Sequence, residues 1–263
     1  MADNFFGAIS RGDLEHVKVY IEEGTDVDIR NGGGTTALQV AIEQKVFEIA
    51  SFLVKEGANI SLKGVLRKNA LHLLIKDYPN CFPMDLLEKL TSTETVNAKD
   101  LLGKTPLHYA AETGQTHVVK RLIRLGADVS IKDRSGDTAA HDAAMNGNVT
   151  TLDILSKNGA DLSIQNLDGE TPLHSASKTG CLDATRFLKI ELRLQNCDPG
   201  VLNIKNKDGK TAFDVAGNSV VRYILNPSKV CKKKRKRDDC DEQSDTSSLN
   251  PANSWSDNSA TFA

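Results

Sequence analysis

Apolar residues recur along this chain in short stretches at helical spacing, and each stretch is followed by a polar turn that contains glycine. Between residues 100 and 132, Leu107 and Ala110 mark one such stretch, and Val118 and Leu122 mark the next. Residues three or four apart lie on one side of a helix, so each stretch predicts a short helix with one buried stripe. Glycine is suited to ending such helices. The pattern predicts pairs of short antiparallel helices.

The helix starts repeat along the sequence at a fixed interval. The tetrapeptide Thr-Pro-Leu-His at residues 105–108 returns as Thr-Ala-Ala-His at 138–141 and as Thr-Pro-Leu-His at 171–174, an interval of 33 residues in both cases. More divergent copies stand at residues 36–39, 69–72 and 211–214. Self-similarity at this period indicates a stack of small structural units. Over roughly residues 3–226 the chain resembles the ankyrin-repeat family.

The resemblance implies an all-α fold, an ankyrin-repeat solenoid of helix–turn–helix units with short β-hairpin fingers. The expected units are a partial N-terminal cap at 3–30, repeats at 31–63, 64–99, 100–132, 133–165 and 166–205, and a C-terminal cap at 206–226. The repeat at 64–99 has three surplus residues and contains Pro79 and Pro83, so we expect it to be the least regular. The repeat at 166–205 has a surplus at 195–200, which we interpret as a loop after its second helix.

The residues after the repeats differ from them in composition. Residues 227–263 combine a basic cluster with a stretch rich in Ser, Asn and Asp, and their low hydrophobicity predicts a disordered tail. The whole chain has a formal net charge of −2, whereas bulk binding of nucleic acid would need a basic face on the folded part.

Cysteine usage and apolar runs bear on the compartment. The five cysteines show no Cys-x-x-Cys spacing and leave one unpaired in any pairing scheme, so we expect reduced thiols inside the cell. The N-terminus lacks the basic start and apolar core of a signal peptide. No apolar run approaches the roughly 18 residues that a membrane span requires. We therefore expect no membrane partner.

The histidines raise the question of metal binding or catalysis. His72, His108, His141 and His174 occupy the same position of the repeat, which favours a structural role in tying a helix start and finger to neighbouring backbone. No Cys/His cluster has the spacing of zinc ligands. The Gly-rich segment at 32–36 lacks the Gly-Lys-Ser/Thr ending of a nucleotide-binding loop. We find no catalytic motif and expect no enzyme activity, no metal and no cofactor.

A stacked array offers a continuous surface instead, with fingers and first helices lining a concave face. The family resemblance implies contact positions beside each finger turn and at the end of each first helix. In this chain these positions are Leu101, Leu102, Lys104, Glu112, Thr113, Arg134, Ser135, Asp137, Met145, Asn146, Leu167, Asp168, Glu170, Lys178, Thr179, Lys207, Asp208 and Lys210. Four of them, Leu101, Leu102, Met145 and Leu167, are apolar, which fits either a partner site or ordinary scattered surface residues.

Six consecutive basic residues follow the repeats. They are Lys232, Lys233, Lys234, Arg235, Lys236 and Arg237. The cluster resembles a monopartite nuclear import signal, which an import receptor would bind; the alternatives are nonspecific contact with phosphates and a solvated charge run. Acidic residues directly after the cluster would weaken phosphate contacts, and no aromatic residue is interleaved to stack on bases. We therefore expect import, residence in nucleus and cytoplasm, and no specific nucleic-acid partner.

Together these features predict a monomeric, non-enzymatic protein-interaction module. We expect a nuclear or nucleocytoplasmic adaptor that binds one or more partner proteins on its concave face. One specific version is a regulator similar to the small ankyrin inhibitors and cofactors of Rel-type transcription factors, a likeness of architecture and not of a diagnostic motif. The alternative is a cytoplasmic scaffold or a substrate-recognition adaptor for a modifying enzyme. The sequence leaves the identity of the partner open.

Overall fold

The computed structural model describes residues 2–78, 81–196 and 199–226, and the regular secondary structure among them is helical, with no assigned strand. The predicted tail at 227–263 and its basic cluster lie outside the described residues, as do Pro79 and Cys197. The helices are α1 (Ala2–Arg11), α2 (Leu14–Glu22), α3 (Ala37–Glu43), α4 (Phe47–Lys55), α5 (Ala70–Asp77), α6 (Met84–Leu90), α7 (Pro106–Glu112), α8 (Thr116–Arg124), α9 (Ala139–Met145), α10 (Val149–Lys157), α11 (Pro172–Thr179), α12 (Leu182–Asn196) and α13 (Ser219–Leu225). Two short 3-10 helices span Val65–Arg67 and Pro199–Asn203. The prediction of an all-α fold is confirmed.

The helices pack in two layers. The first helices of the units, α1, α3, α5, α7, α9 and α11, each contact the next one in the series. The second helices form the other layer, where α2 contacts α4, α4 contacts α6, and α8 contacts α10, which in turn contacts α12. Each helix therefore buries its apolar stripe against its own unit and the adjacent ones, as expected of a solenoid.

The unit at 100–132 shows why the repeated sequence folds in this way. Thr105 caps α7, and Pro106 occupies its first turn. Backbone amides in the first turn have no acceptor within the helix, so proline can stand there without loss of a hydrogen bond. Ala110 and Ala111 are fully buried, and their small side chains let neighbouring first helices approach closely. Gly114 ends the segment with a φ of 70°, a left-handed conformation that glycine adopts at little cost.

The fingers are tight turns, each closed by a backbone hydrogen bond across five residues. In the finger at 133–137, the amide of Asp133 donates to the carbonyl of Asp137 at 2.8 Å. The Asp133 carboxylate accepts the amides of Ser135 and Asp137, which fixes the turn. Among the described residues, the one isolated strand-like bridge joins Arg30 and Thr36. The described fingers therefore form the predicted hairpin turns but lack extended paired strands.

The unit at 64–99 departs from this regular form at its finger. The finger at 64–68 contains the 3-10 helix instead of an Asp–Gly turn, and Leu66 and Arg67 both have a φ of 57°. A left-handed conformation costs a residue with a side chain roughly 1–2 kcal/mol. This finger is therefore strained where the others use glycine.

The last units differ from the sequence-based expectation in two places. Helix α12 continues to Asn196, so Gln195 and Asn196, expected in a loop, are helical. The helix extends because Leu188 and Leu192 continue its buried stripe. In the final unit, the divergent copy of the helix-start motif at 211–214 forms a turn and no first helix. Helix α13 occupies the position of that unit's second helix. Among the described residues, no helix has both the length and the apolar character needed to cross a lipid bilayer.

Candidate protein-interaction face

The four repeated histidines each join one unit to the next. In His108, Nδ1 accepts a hydrogen bond from the amide of Thr105 at 3.2 Å, and Nε2 donates to the carbonyl of Asp137 in the following finger at 3.1 Å. A carbonyl can only accept, so the proton must sit on Nε2. His72, His141 and His174 make the same pair of contacts in their own units. Every one of these imidazoles is occupied at both nitrogens.

Burial keeps these imidazoles neutral. It lowers the pKa of His72 and of His108 to about 4, and it also lowers the pKa of His141 and of His174. Neutral rings bonded at both nitrogens are structural groups that tie helix starts to fingers. Among the described residues, no three His, Cys, Asp or Glu side chains are grouped so as to hold a metal ion.

The 18 contact positions named from the sequence all lie at the surface, 14 exposed and four half-buried. They form two rows. The fingertip row consists of Leu101, Leu102, Arg134, Ser135, Leu167, Asp168, Lys207 and Asp208. The helix-end row consists of Glu112, Thr113, Met145, Asn146, Lys178 and Thr179, and Lys104, Asp137, Glu170 and Lys210 lie at the finger bases between the rows. We call the surface made by these positions the finger face.

Backbone hydrogen bonds join the tips of successive fingers. The amide of Arg134 donates to the carbonyl of Leu102, and the amide of Leu167 donates to that of Ser135, both at 2.9 Å. The amide of Leu101 donates backward to the carbonyl of Leu66 at 2.7 Å. Because these bonds link adjacent units, the fingertip row is one continuous edge with fixed spacing.

Apolar side chains are exposed along this edge. Leu101 is 37% exposed, Leu102 57% and Leu167 60%, and Met145 in the helix-end row is 43% exposed. The structure adds Val65 and Leu66, at 58% and 53%, which the sequence reasoning missed. Their only signal was that the finger at 64–68 lacks the usual Asp and Gly. With Leu101 bonded to Leu66, two neighbouring fingertips present four apolar residues: Val65, Leu66, Leu101 and Leu102.

A half-buried cluster of three charged groups at the finger face links two units. Lys104 Nζ lies 2.9 Å from Glu112 Oε2 and 2.9 Å from Asp142 Oδ1. Burial raises the pKa of the Asp142 carboxyl to about 7 in spite of the opposing lysine. Burial also works against the charge on Lys104, but the two carboxylates raise its pKa above the usual value. Lys104 is therefore cationic, and sequence reasoning did not find its partner Asp142.

Three lysines surround the ring of Tyr109. The Nζ atoms of Lys68, Lys76 and Lys104 lie 5.2, 5.3 and 5.7 Å from the ring centroid, distances at which a cation is attracted to an aromatic ring. Tyr109 itself donates its hydroxyl proton to Asp100 Oδ2 at 2.6 Å. Lys68 is only 6% exposed, and burial followed by the nearby Lys76 lowers its pKa to about 8.

Comparison with known proteins shows the same repeat throughout the described region. A family model described as ankyrin repeats matches three times, at residues 5–84, 80–166 and 141–236. Among solved structures, the ankyrin repeat domain of Bcl-3, a member of the IkappaB protein family, is 27% identical with a TM-score of 0.67, covering 84% of this chain and 96% of that one. The ankyrin repeat domain of human ASB11 is 20% identical with a TM-score of 0.68 over the same shares, which shows a common fold.

Curated relatives match over parts of their length. The transient receptor potential cation channel subfamily A member 1 of Drosophila melanogaster is 30% identical over 118 residues, 42% of this chain and 10% of that protein. The E3 ubiquitin-protein ligase XBAT32 of Arabidopsis thaliana is 32% identical over 147 residues, 46% of this chain and 29% of that protein. The chain thus spans less than a third of the length of these two relatives.

Proposed function

The chain belongs to the ankyrin-repeat family, whose repeats form protein-interaction modules, and from this premise we propose that it is a non-enzymatic adaptor that binds a partner protein through the finger face. The observation that carries this proposal is the continuous fingertip row, which holds exposed leucines at fixed positions. Exposed apolar residues gathered on one edge are typical of sites that another protein covers. The buried histidines and the Lys104 ion pair hold that edge rigid and so reduce the ordering cost of binding.

The apolar fingertips are the first residues to change. Leu101→Ser combined with Leu102→Ser should weaken partner binding by roughly 2 kcal/mol, or about thirtyfold, because the two side chains would no longer bury apolar surface. Both side chains are exposed, so the melting temperature should stay the same. The measurement is affinity capture from cell extract followed by quantitative mass spectrometry of retained proteins.

A matched control uses exposed apolar residues of the second-helix layer. Val19→Ser combined with Ile190→Ser changes side chains that are 47% and 60% exposed on α2 and α12. The control variant should retain the same partners as the unchanged protein. Equal capture by the fingertip variant would contradict the proposal.

We also propose that the cluster at 232–237 directs the adaptor into the nucleus. Six consecutive positive charges outside the repeats support this proposal, since several charge-assisted contacts can offset the roughly 1–2 kcal/mol that ordering each residue costs. The likeness to the Bcl-3 domain supports a regulator of transcription factors as the specific version, because that domain belongs to the IkappaB family.

Import is tested with a fusion to a bulky fluorescent cargo, because a protein of 28.5 kDa can also diffuse through nuclear pores. Changing Lys233, Lys234 and Arg235 together to Ala should abolish nuclear accumulation of the fusion. The corresponding change of Lys205, Lys207 and Lys210 in the last finger is the control and should leave accumulation intact. Unchanged nuclear accumulation of the first variant would show that the cluster at 232–237 is not an import signal.

The second candidate is a substrate-recognition adaptor for a modifying enzyme that acts in the cytoplasm. It is favoured by the likeness to two plant ubiquitin ligases, XBAT32 and the probable E3 ubiquitin-protein ligase XBOS32 of Oryza sativa. This candidate predicts that ubiquitin-pathway enzymes are captured together with the partner. Their absence from a capture that retains nuclear proteins would favour the first candidate.

A further inference from the structure

Basic side chains line a small open pocket among the fingertips at 64–68, 100–104 and 133–137. The pocket has a volume of about 260 Å³, and its wall includes Lys63, Arg67, Lys99 and Arg134. Two carboxylates, those of Asp100 and Asp133, also contribute to the wall. Four cations against two carboxylates give this part of the finger face a positive balance, although the whole chain is slightly negative.

The two carboxylates in the wall are already used by the turns. Asp100 accepts hydrogen bonds from the amides of Leu102 and Lys104 and from the Tyr109 hydroxyl. Asp133 accepts the two amides of its own finger. Neither carboxylate forms an ion pair with any side chain of the described residues.

Among the described residues, none of the four cations forms an ion pair. In that part of the chain, Lys63 and Lys99 donate to the backbone carbonyls of Lys99 and Lys132, at 3.1 and 2.7 Å. Within the described ranges, the guanidinium groups of Arg67 and Arg134 make neither a hydrogen bond nor an ion pair. An ammonium has three donors and a guanidinium five, so each of these groups can still bind an anion.

Some cations of the second-helix layer form ion pairs. Lys89 pairs with Asp85 at 3.2 Å, Arg121 pairs with Glu88 at 2.8 Å, and Lys157 pairs with Asp153 at 2.7 Å. Other cations of that layer, such as Lys55 and Lys120, form no ion pair with the described side chains. What distinguishes the fingertip pocket is that four cations lie together in its wall.

Lys68 extends this positive region toward the first helices. It is nearly buried, it forms no ion pair with any described side chain, and its neighbours around the Tyr109 ring are two further lysines. Asp77 and Asp100 favour the charge on Lys68, but burial and the nearby Lys76 outweigh them and lower its pKa. Lys68 therefore adds positive charge beside the pocket without lining it.

The strained finger brings the apolar and basic groups together. Leu66 and Arg67 adopt left-handed conformations in sequence, and such strain persists where the surrounding structure holds it, often at ligand sites. As a result, Arg67 lines the pocket while Leu66 stands beside the exposed Leu101. A ligand at this point meets positive charge and apolar surface within two residues.

We propose that the fingers at 64–68, 100–104 and 133–137 bind an acidic peptide segment of the partner protein, with Asp or Glu side chains in the basic pocket and a large apolar side chain on Leu66, Leu101 and Leu102. This inference rests on the proposed function and names the chemistry of its partner. A nucleic acid is disfavoured because the fingertips expose leucines instead of aromatic rings for bases to stack on.

The test is a selection of random 12-residue peptides displayed on phage against the intact protein. Enriched peptides should carry several Asp or Glu residues beside a Leu, Ile or Phe. Their affinity, measured by fluorescence anisotropy, should fall as salt is raised, because the contacts are partly electrostatic. Arg67→Glu combined with Arg134→Glu should weaken the enriched peptides at least about tenfold through like-charge repulsion.

A charge-matched control comes from the second helices. Lys55→Glu combined with Lys120→Glu changes the net charge by the same amount at exposed sites on α4 and α8, and it should leave peptide affinity within about twofold, because the lost attraction is long-range and screened by salt. Equal losses in both double variants, or no enrichment of acidic peptides, would overturn the inference. Competition by a 12-residue oligothymidylate as effective as that of the acidic peptide would also overturn it, in favour of a nucleic acid.

Failure of this inference can be told apart from failure of the proposed function. If Leu101→Ser with Leu102→Ser abolishes cellular capture while the arginine variant binds normally, the finger face is the partner site and its ligand is not acidic. If both variants capture their partners unchanged, the finger face itself has been assigned wrongly.

Discussion

The buried histidines make the folded state sensitive to acid at the scale of single residues. An unfolded histidine binds a proton near pH 6.5, whereas burial holds the pKa of folded His108 at about 4. Between these pH values, His108 binds a proton in the unfolded chain but not in the folded chain. The stability that this group contributes is therefore fully present above about pH 6.5 and is lost as the pH falls toward 4.

His108→Gln should remove this pH dependence and keep the bonds. Gln39 already fills the same position in α3, where its side chain accepts the amide of Thr36 and donates to the carbonyls of Leu62 and Lys68. For a pKa lowered from 6.5 to about 4, the stability lost between pH 7 and pH 5 is about 2 kcal/mol. In urea denaturation, the free energy of unfolding should therefore fall by about 2 kcal/mol less in the variant than in the unchanged protein between the two pH values.

His117→Gln is the control, because it makes the same chemical change at an exposed histidine outside the repeated position. The Asp142 carboxyl works in the opposite direction. Its pKa is raised in the folded chain, so it adds stability as the pH falls from about 7. This contribution is common to all variants and cancels in the comparison. An identical pH dependence in His108→Gln would contradict the structural role of the imidazole.

Local contacts could be predicted from the sequence at this scale, and contacts between units could not. The role of the histidines follows from their fixed position beside an N-cap and needs no knowledge of neighbours. Lys68 and Asp142 look like ordinary surface residues in the sequence, but packing of the next unit buries them. Burial by an adjacent unit leaves no local pattern, so the charges beneath the finger face were missed.

At the scale of elements, stability depends on the buried stripe of each helix. Leu107 is 1% exposed in α7, so Leu107→Ala should leave a cavity and cost roughly 2–5 kcal/mol. The measurement is the free energy of unfolding from urea denaturation, followed with helical circular dichroism.

Leu102→Ala in the adjacent finger is the matched control. The same chemical change at a side chain that is 57% exposed should alter stability by less than about 0.5 kcal/mol. Comparable losses in the two variants would mean that α7 is not packed as the structure shows.

Helices with complete signals could be predicted from the sequence, and irregular segments could not. Thr105, Pro106 and Gly114 define the start and end of α7 by local chemistry alone. The surplus at 195–200 was interpreted as a loop because its length breaks the repeat, yet buried leucines extend α12 through its first part. The conformation of the finger at 64–68 depends on its bond to Leu101, which lies in another unit.

At the scale of the whole molecule, positive charge is in local excess at the fingertip pocket. Four cations and two carboxylates line its wall. The net charge of −2 conceals this local excess, because it sums over the whole chain. An electrostatic argument from composition alone could exclude a uniformly basic surface but could not find a local one.

The most direct test of the finger face is site-specific photo-crosslinking. A photoreactive phenylalanine analogue is placed singly at Leu102 or Ser135 in the fingertip row, and at Val19 or Lys120 in the second-helix layer, all of them exposed. The cross-linked proteins are identified by mass spectrometry. We expect the two fingertip positions to capture the same partner and the two second-helix positions to capture none of it. Capture of that partner from Val19 or Lys120, with none from the fingertips, would contradict the account.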